Sequence, residues 1–91
     1  SNLFWIDQEN IWRPDPSLPY LQGVFLEALL SKISFPIHPV KARIDQIPPA
    51  ACVYTCNSLT HARPVIRIDD RSFPRHAPYE ALLQEVAEKV I

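Results

Sequence analysis

The chain has 91 residues, 47% of them apolar and 21% charged, with a formal net charge of −1; that length holds one domain and not two, and that composition is too apolar for a disordered chain. The near-neutral balance gives no overall attraction to nucleic acid or to an anionic membrane. Ten prolines and a single glycine, Gly23, exclude glycine-rich phosphate loops and dinucleotide fingerprints, and no run reaches the roughly 18–20 apolar residues of a membrane span.

Residues 3–13 carry both tryptophans and read as an aromatic N-terminal arm or a short strand. Pro14, Pro16 and Pro19 follow. Ser17 suits the N-cap of a helix over 18–33, with Pro19 tolerated in its first turn. Leu21, Phe25, Ala28, Leu29 and Lys32 follow helical spacing on one side of that helix, and Leu26, Leu30 and Ile33 form a second stripe beside it. A helix apolar over most of its circumference needs cover on more than one side.

Three strands are expected next. Val40–Ile44 alternates apolar and charged residues, Ala51–Cys56 is β-prone, and Pro64 opens a strand over Val65–Asp69. A second helix begins near Pro78, with Tyr79, Leu82, Leu83, Val86, Ala87 and Val90 on a single stripe. The expected fold is α+β: a three-stranded antiparallel sheet with two helices in the order α-β-β-β-α, plus the arm. Residues 1–91 form one domain in this reading. The start at Ser1-Asn2, without a methionine, and the end at Ile91, in mid-pattern of a helix, lead us to expect a fragment of a longer cytoplasmic protein.

No coherent catalytic set emerges. Cys52 and Cys56 on one strand stand about 13 Å apart, beyond disulfide reach. Together with His61 they lack a fourth zinc ligand, so they read as buried structural thiols. His38, His61 and His76 fall in expected loops with no nucleophile turn beside them. Asp69 and Asp70 at a strand end, with Glu85, offer a carboxylate set for acid–base or metal chemistry. The stretch Gln84-Glu85-Val86-Ala87-Glu88, after a strand and a loop, resembles in layout the core of the zinc peptidases with their H-E-x-x-H motif. In that resemblance Glu85 takes the place of the water-activating glutamate, and Gln84 and Glu88 stand where the zinc-binding histidines belong.

Two surfaces remain. Lys41, Arg43, Arg63 and Arg67 compose a basic sheet face. The α-β-β-β-α order is similar to that of double-stranded-RNA-binding domains, which implies shape and phosphate recognition. Phe4, Trp5, Ile11 and Trp12 of the arm, with Leu26 and Leu30, supply a surplus of apolar surface. Tryptophan is enriched at interface hot spots. The reading these features favour is a non-catalytic interaction or self-association module, docking a protein partner or a second copy. No cofactor and no metal are expected. A nucleic-acid binder on the basic face is the alternative, and a small hydrolase-like or degenerate metallopeptidase-like domain the third reading.

Overall fold

A computed structural model describes residues 2–15, 24–41 and 43–90. The aromatic arm is the centre of the molecule. Asn2–Asp7 (β1) and Asn10–Pro14 (β2) form a tight hairpin with Trp5 opposite Trp12. The turn is made by Gln8 and Glu9, both at positive φ (51° and 59°). That is the geometry of a type I′ turn, which matches the strand twist but ordinarily takes Asn-Gly. The Tyr79 hydroxyl accepts a hydrogen bond from Glu9 N (3.2 Å) and braces the turn.

Five strands form one mixed sheet in the order β3-β2-β1-β4-β5. Ile37–Val40 (β3) runs parallel to β2. Cys52–Asn57 (β4) lies antiparallel to β1, and His61–Val65 (β5) antiparallel to β4. Both rim strands contain a proline, Pro39 and Pro64. On β3, Pro36 O accepts from Ile11 N and Val40 O from Asp15 N. The even-numbered residues therefore face β2, and the nitrogen of Pro39 lies on the outer rim, where a proline costs no ladder bond.

Each sheet face has its own cover. One carries Phe4, Ile6, Ile11, Cys52, Tyr54 and Cys56 against two helices, Val24–Leu30 (α1) and Ala77–Glu88 (α2). Burial of Leu26, Leu29 and Leu30, each contributing roughly 1.5–3 kcal/mol, holds α1 down. Arg13, the one buried charged side chain among the described residues, reaches from β2 to Glu27 on α1 (Nη1–Oε1 2.5 Å). α2 follows the single-stripe pattern: Leu83, Val86 and Ala87 are buried, with Tyr79, Leu82 and Val90 packed at the margin. The other face carries Trp5 and Val53 beneath Ile47, Ala51 and Phe73. Its cover is a 3-10 turn at Ile44–Gln46 and a small hairpin of Arg67–Ile68 (β6) and Arg71–Ser72 (β7). Arg71 joins these pieces. It donates to Ile44 O (2.9 Å) and to Ile47 O, and its guanidinium lies 5.0 Å from the Phe73 ring centre.

The expected three-stranded antiparallel sheet is therefore corrected to a five-stranded mixed one. The arm supplies two of its three inner strands, because a hairpin can close on Gln8-Glu9 without glycine. The strand expected over Val40–Ile44 lies earlier, at Ile37–Val40, and Ile44 begins the 3-10 turn. The strand expected over Val65–Asp69 divides between β5 and β6. Of the expected helix over 18–33, its Ser17 cap, Pro19 and Leu21 lie outside the described residues. No helix among the described residues is long and apolar enough to cross a membrane.

Candidate functional site

Four elements meet at one edge of the helical face. Asn2 opens β1, Val24, Phe25 and Ala28 come from α1, Asn57 and Ser58 leave β4, and Val90 follows α2. Together they line a cleft of about 670 Å³, within the range of sites for small molecules. Its polar groups are neutral: two carboxamides and a hydroxyl. Its wall is apolar, and Val24 is 83% exposed there.

The β4–β5 turn is built by its own side chains. Asn57 Oδ1 accepts hydrogen bonds from Leu59 N (2.8 Å), Thr60 N (2.8 Å) and Thr60 Oγ1 (3.1 Å). This is an Asx-type turn, in which the side chain organises the amides that follow it. His61 closes the turn at φ 60°, the left-handed region, at a cost of about 1–2 kcal/mol for a residue with a Cβ. Its ring stacks on Phe25 of α1 (centroids 5.5 Å apart, planes 10° apart).

The nucleophile candidates are subdued. Cys52 and Cys56 are buried and unpaired. Burial raises both thiols, that of Cys56 to about 11, so neither is a thiolate at neutral pH. Tyr54 lies beneath α2 with its hydroxyl lacking a hydrogen-bond partner among the described residues. Burial, then the neighbouring Cys52 thiol, pushes its pKa upward, but the geometry between the two falls short of a hydrogen bond. Arg75 grips Glu80 with two bonds (3.0 and 2.7 Å), and these lower the Glu80 carboxyl.

The residues singled out in the sequence scatter. Phe4, Trp5, Ile11, Leu26 and Leu30 lie in the cores, and Trp12 is half-buried and stacked on His38 (4.3 Å). Lys41, Arg43, Arg63 and Arg67 are exposed on separate elements. Arg43 pairs with Asp45 (3.1 Å), and the groove beside it also holds Asp69, Asp70 and Arg71, so the charge there is mixed. Glu85 and Lys89 pair along α2 (3.6 Å), while Gln84 and Glu88 are exposed. Among the described residues no three of His, Cys, Asp and Glu converge as a metal site. The cleft residues Asn2, Asn57 and Ser58 were not among the sequence candidates. Asn57-Ser58 was legible only as a loop after a strand, and nothing in the sequence links it to positions 2, 24–28 and 90.

No protein-family profile and no curated protein sequence matches the chain. Solved structures do. A hypothetical aminotransferase from Mycobacterium tuberculosis, with α-ketoglutarate and PMP bound, superposes at a TM-score of 0.84 and 21% identity over 100% of this chain and 33% of its own. A fold IV transaminase from Curtobacterium pusillum gives 0.83 and 20% over 98% of this chain and 31% of its own. A protein assigned as a 4-amino-4-deoxychorismate lyase from Legionella pneumophila gives 0.85 and 22% over 99% and 35%. At these identities the likeness establishes the fold, and the chain spans about a third of the length of the structures it matches. The expected non-catalytic interaction or oligomerisation module is overturned by these neighbours, which are enzymes; the arm and α1 bury their apolar surplus in this chain's own cores.

Proposed function

We propose that the chain is one portion of a pyridoxal-phosphate-dependent enzyme of the transaminase type, and that the cleft at Asn2, α1 and Asn57–Ser58 faces the cofactor. Two observations support this reading: the whole-chain likeness to aminotransferases, one of them a PLP-bound form, and the cleft itself, with neutral donors at one edge of an apolar wall.

The cleft residues fit one end of that cofactor. Phosphate oxygens are strong acceptors, and the Ser58 hydroxyl and the Asn2 carboxamide offer hydrogen bonds without the cost of burying another charge. Val24, Phe25 and Ala28 fit the edge of an aromatic ring and exclude water from it. The covalent anchor is another matter. A lysine amine normally holds pyridoxal phosphate, and none of Lys32, Lys41 and Lys89 lines the cleft. In this reading the lysine comes from the part of the fold outside this third. The cofactor, once bound, serves as an electron sink for bonds at an amino-acid carbon. This chain's share is to hold the phosphate end and to shape the wall. Buried unpaired thiols support a cytoplasmic setting.

The test uses the longest natural polypeptide that carries this sequence. It should bind pyridoxal phosphate with a visible absorption band and exchange amino groups between an amino acid and a 2-oxo acid. Ser58→Ala should weaken cofactor binding about tenfold, the loss of one hydrogen bond to a charged group. Absence of the chromophore, or Ser58→Ala and Asn2→Ala both within twofold of the parent, would overturn the reading.

A further inference from the structure

The left-handed position in the β4–β5 turn would be borne most cheaply by glycine, which has no Cβ to clash. The chain places His61 there instead, and the imidazole lies nearly parallel to the Phe25 ring at 5.5 Å. Phe25 stands on α1 and lines the cleft, and Asn57, directly opposite His61 in the strand register, lines it from the other side. The stack therefore spans the two elements whose separation sets the width of the cleft.

We infer that His61 is a positioning residue: its stack on Phe25 clasps the Asn57–Ser58 turn to α1 and fixes the donors that meet the cofactor's phosphate. The inference rests on the reading of the cleft given above. It concerns the ring as a flat surface and not its charge, and it separates affinity from stability. His61→Gly keeps the left-handed backbone, removes its strain and deletes the stack. His61→Phe keeps the stack and bears the strain.

In the longest natural polypeptide, His61→Gly should weaken pyridoxal phosphate binding about three- to tenfold, the range of an aromatic pair, while leaving Tm close to that of the parent. His61→Phe, which keeps both the strain and the stack, should bind within about twofold of the parent at a Tm close to the parent's. Affinity unchanged in His61→Gly, or weakened equally in both variants, overturns the inference. Hydrogen exchange on the same proteins provides an arm that needs no cofactor. His61→Gly should speed exchange at the Leu59 and Thr60 amides several-fold and His61→Phe should not; equal protection in both overturns the clasp. A parent that fails to bind the cofactor counts against the proposed function, and the exchange result then decides the clasp alone.

Discussion

The two helices lie on the same face of the sheet and are held by different means. α2 has twelve residues, one apolar stripe and a proline in its first turn, and burial of Leu83, Val86 and Ala87 suffices to dock it. α1 buries Leu26, Leu29 and Leu30 and has pointed attachments as well: a buried arginine from β2 and a ring from the β4–β5 turn. Only α1 lines the cleft with several residues. The difference teaches that bulk burial secures an element, whereas directional contacts fix where its end points, and the site lies where the directional contacts are.

Six substitutions, in four tests, probe that contrast, from the largest effect to the smallest. Leu83→Ala on α2 and Leu29→Ala on α1 should each cost about 2–5 kcal/mol in denaturant unfolding, because both side chains are fully buried; equal costs would show that α1 is docked as firmly as α2. The Arg13–Glu27 pair should be asymmetric. Glu27→Leu strands a guanidinium that is 9% exposed and should cost about 2–3 kcal/mol, whereas Arg13→Met leaves a carboxylate that is 51% exposed and should cost about 1 kcal/mol. Costs in the reverse order would mean that water reaches Arg13. Tyr54→Phe removes a buried hydroxyl without a partner and should stabilise the chain by up to about 1 kcal/mol; a loss of that size would reveal a bond the hydroxyl makes in solution. Last, Glu80 has a folded pKa below its unfolded value, chiefly through its hydrogen bonds to Arg75. Its contribution is present above the unfolded carboxylate pKa and disappears as pH falls through the lowered folded value. Glu80→Gln should flatten the acid limb of stability against pH, and an unchanged limb would remove α2's surface pair from the account.

How much of this the sequence discloses depends on periodicity. α2 is legible because one stripe meets one surface, and β4 because its β-prone run has loops on either side. The β1–β2 hairpin is not, since Gln8 and Glu9 adopt positive φ without the glycine or asparagine that signals such a turn, and the strands beside them mix tryptophan with Asp7, Asn10 and Arg13. β3 is hidden by Pro39, which argues against a strand until its nitrogen is seen to face the rim. Val53 alternates with Cys52 and Tyr54 along β4 and so lies on the face away from the helices, yet the second cover of Ile47, Ala51 and Phe73 buries it, and no local pattern announces a cover made of turns. The cleft is the least legible part, because Asn2, Phe25, Ser58 and Val90 become neighbours only through the strand order.

The prolines in the two rim strands bear on how such a chain behaves among many copies of itself. An open five-stranded sheet invites a further strand at each side, and a templated ladder of that kind is the usual first step toward fibres. Pro39 leaves a gap in the donor row at one rim, and Pro64 removes a donor from the strand at the other. A molecule in which 47% of residues are apolar thus limits its own propagation with two residues that a strand would ordinarily avoid.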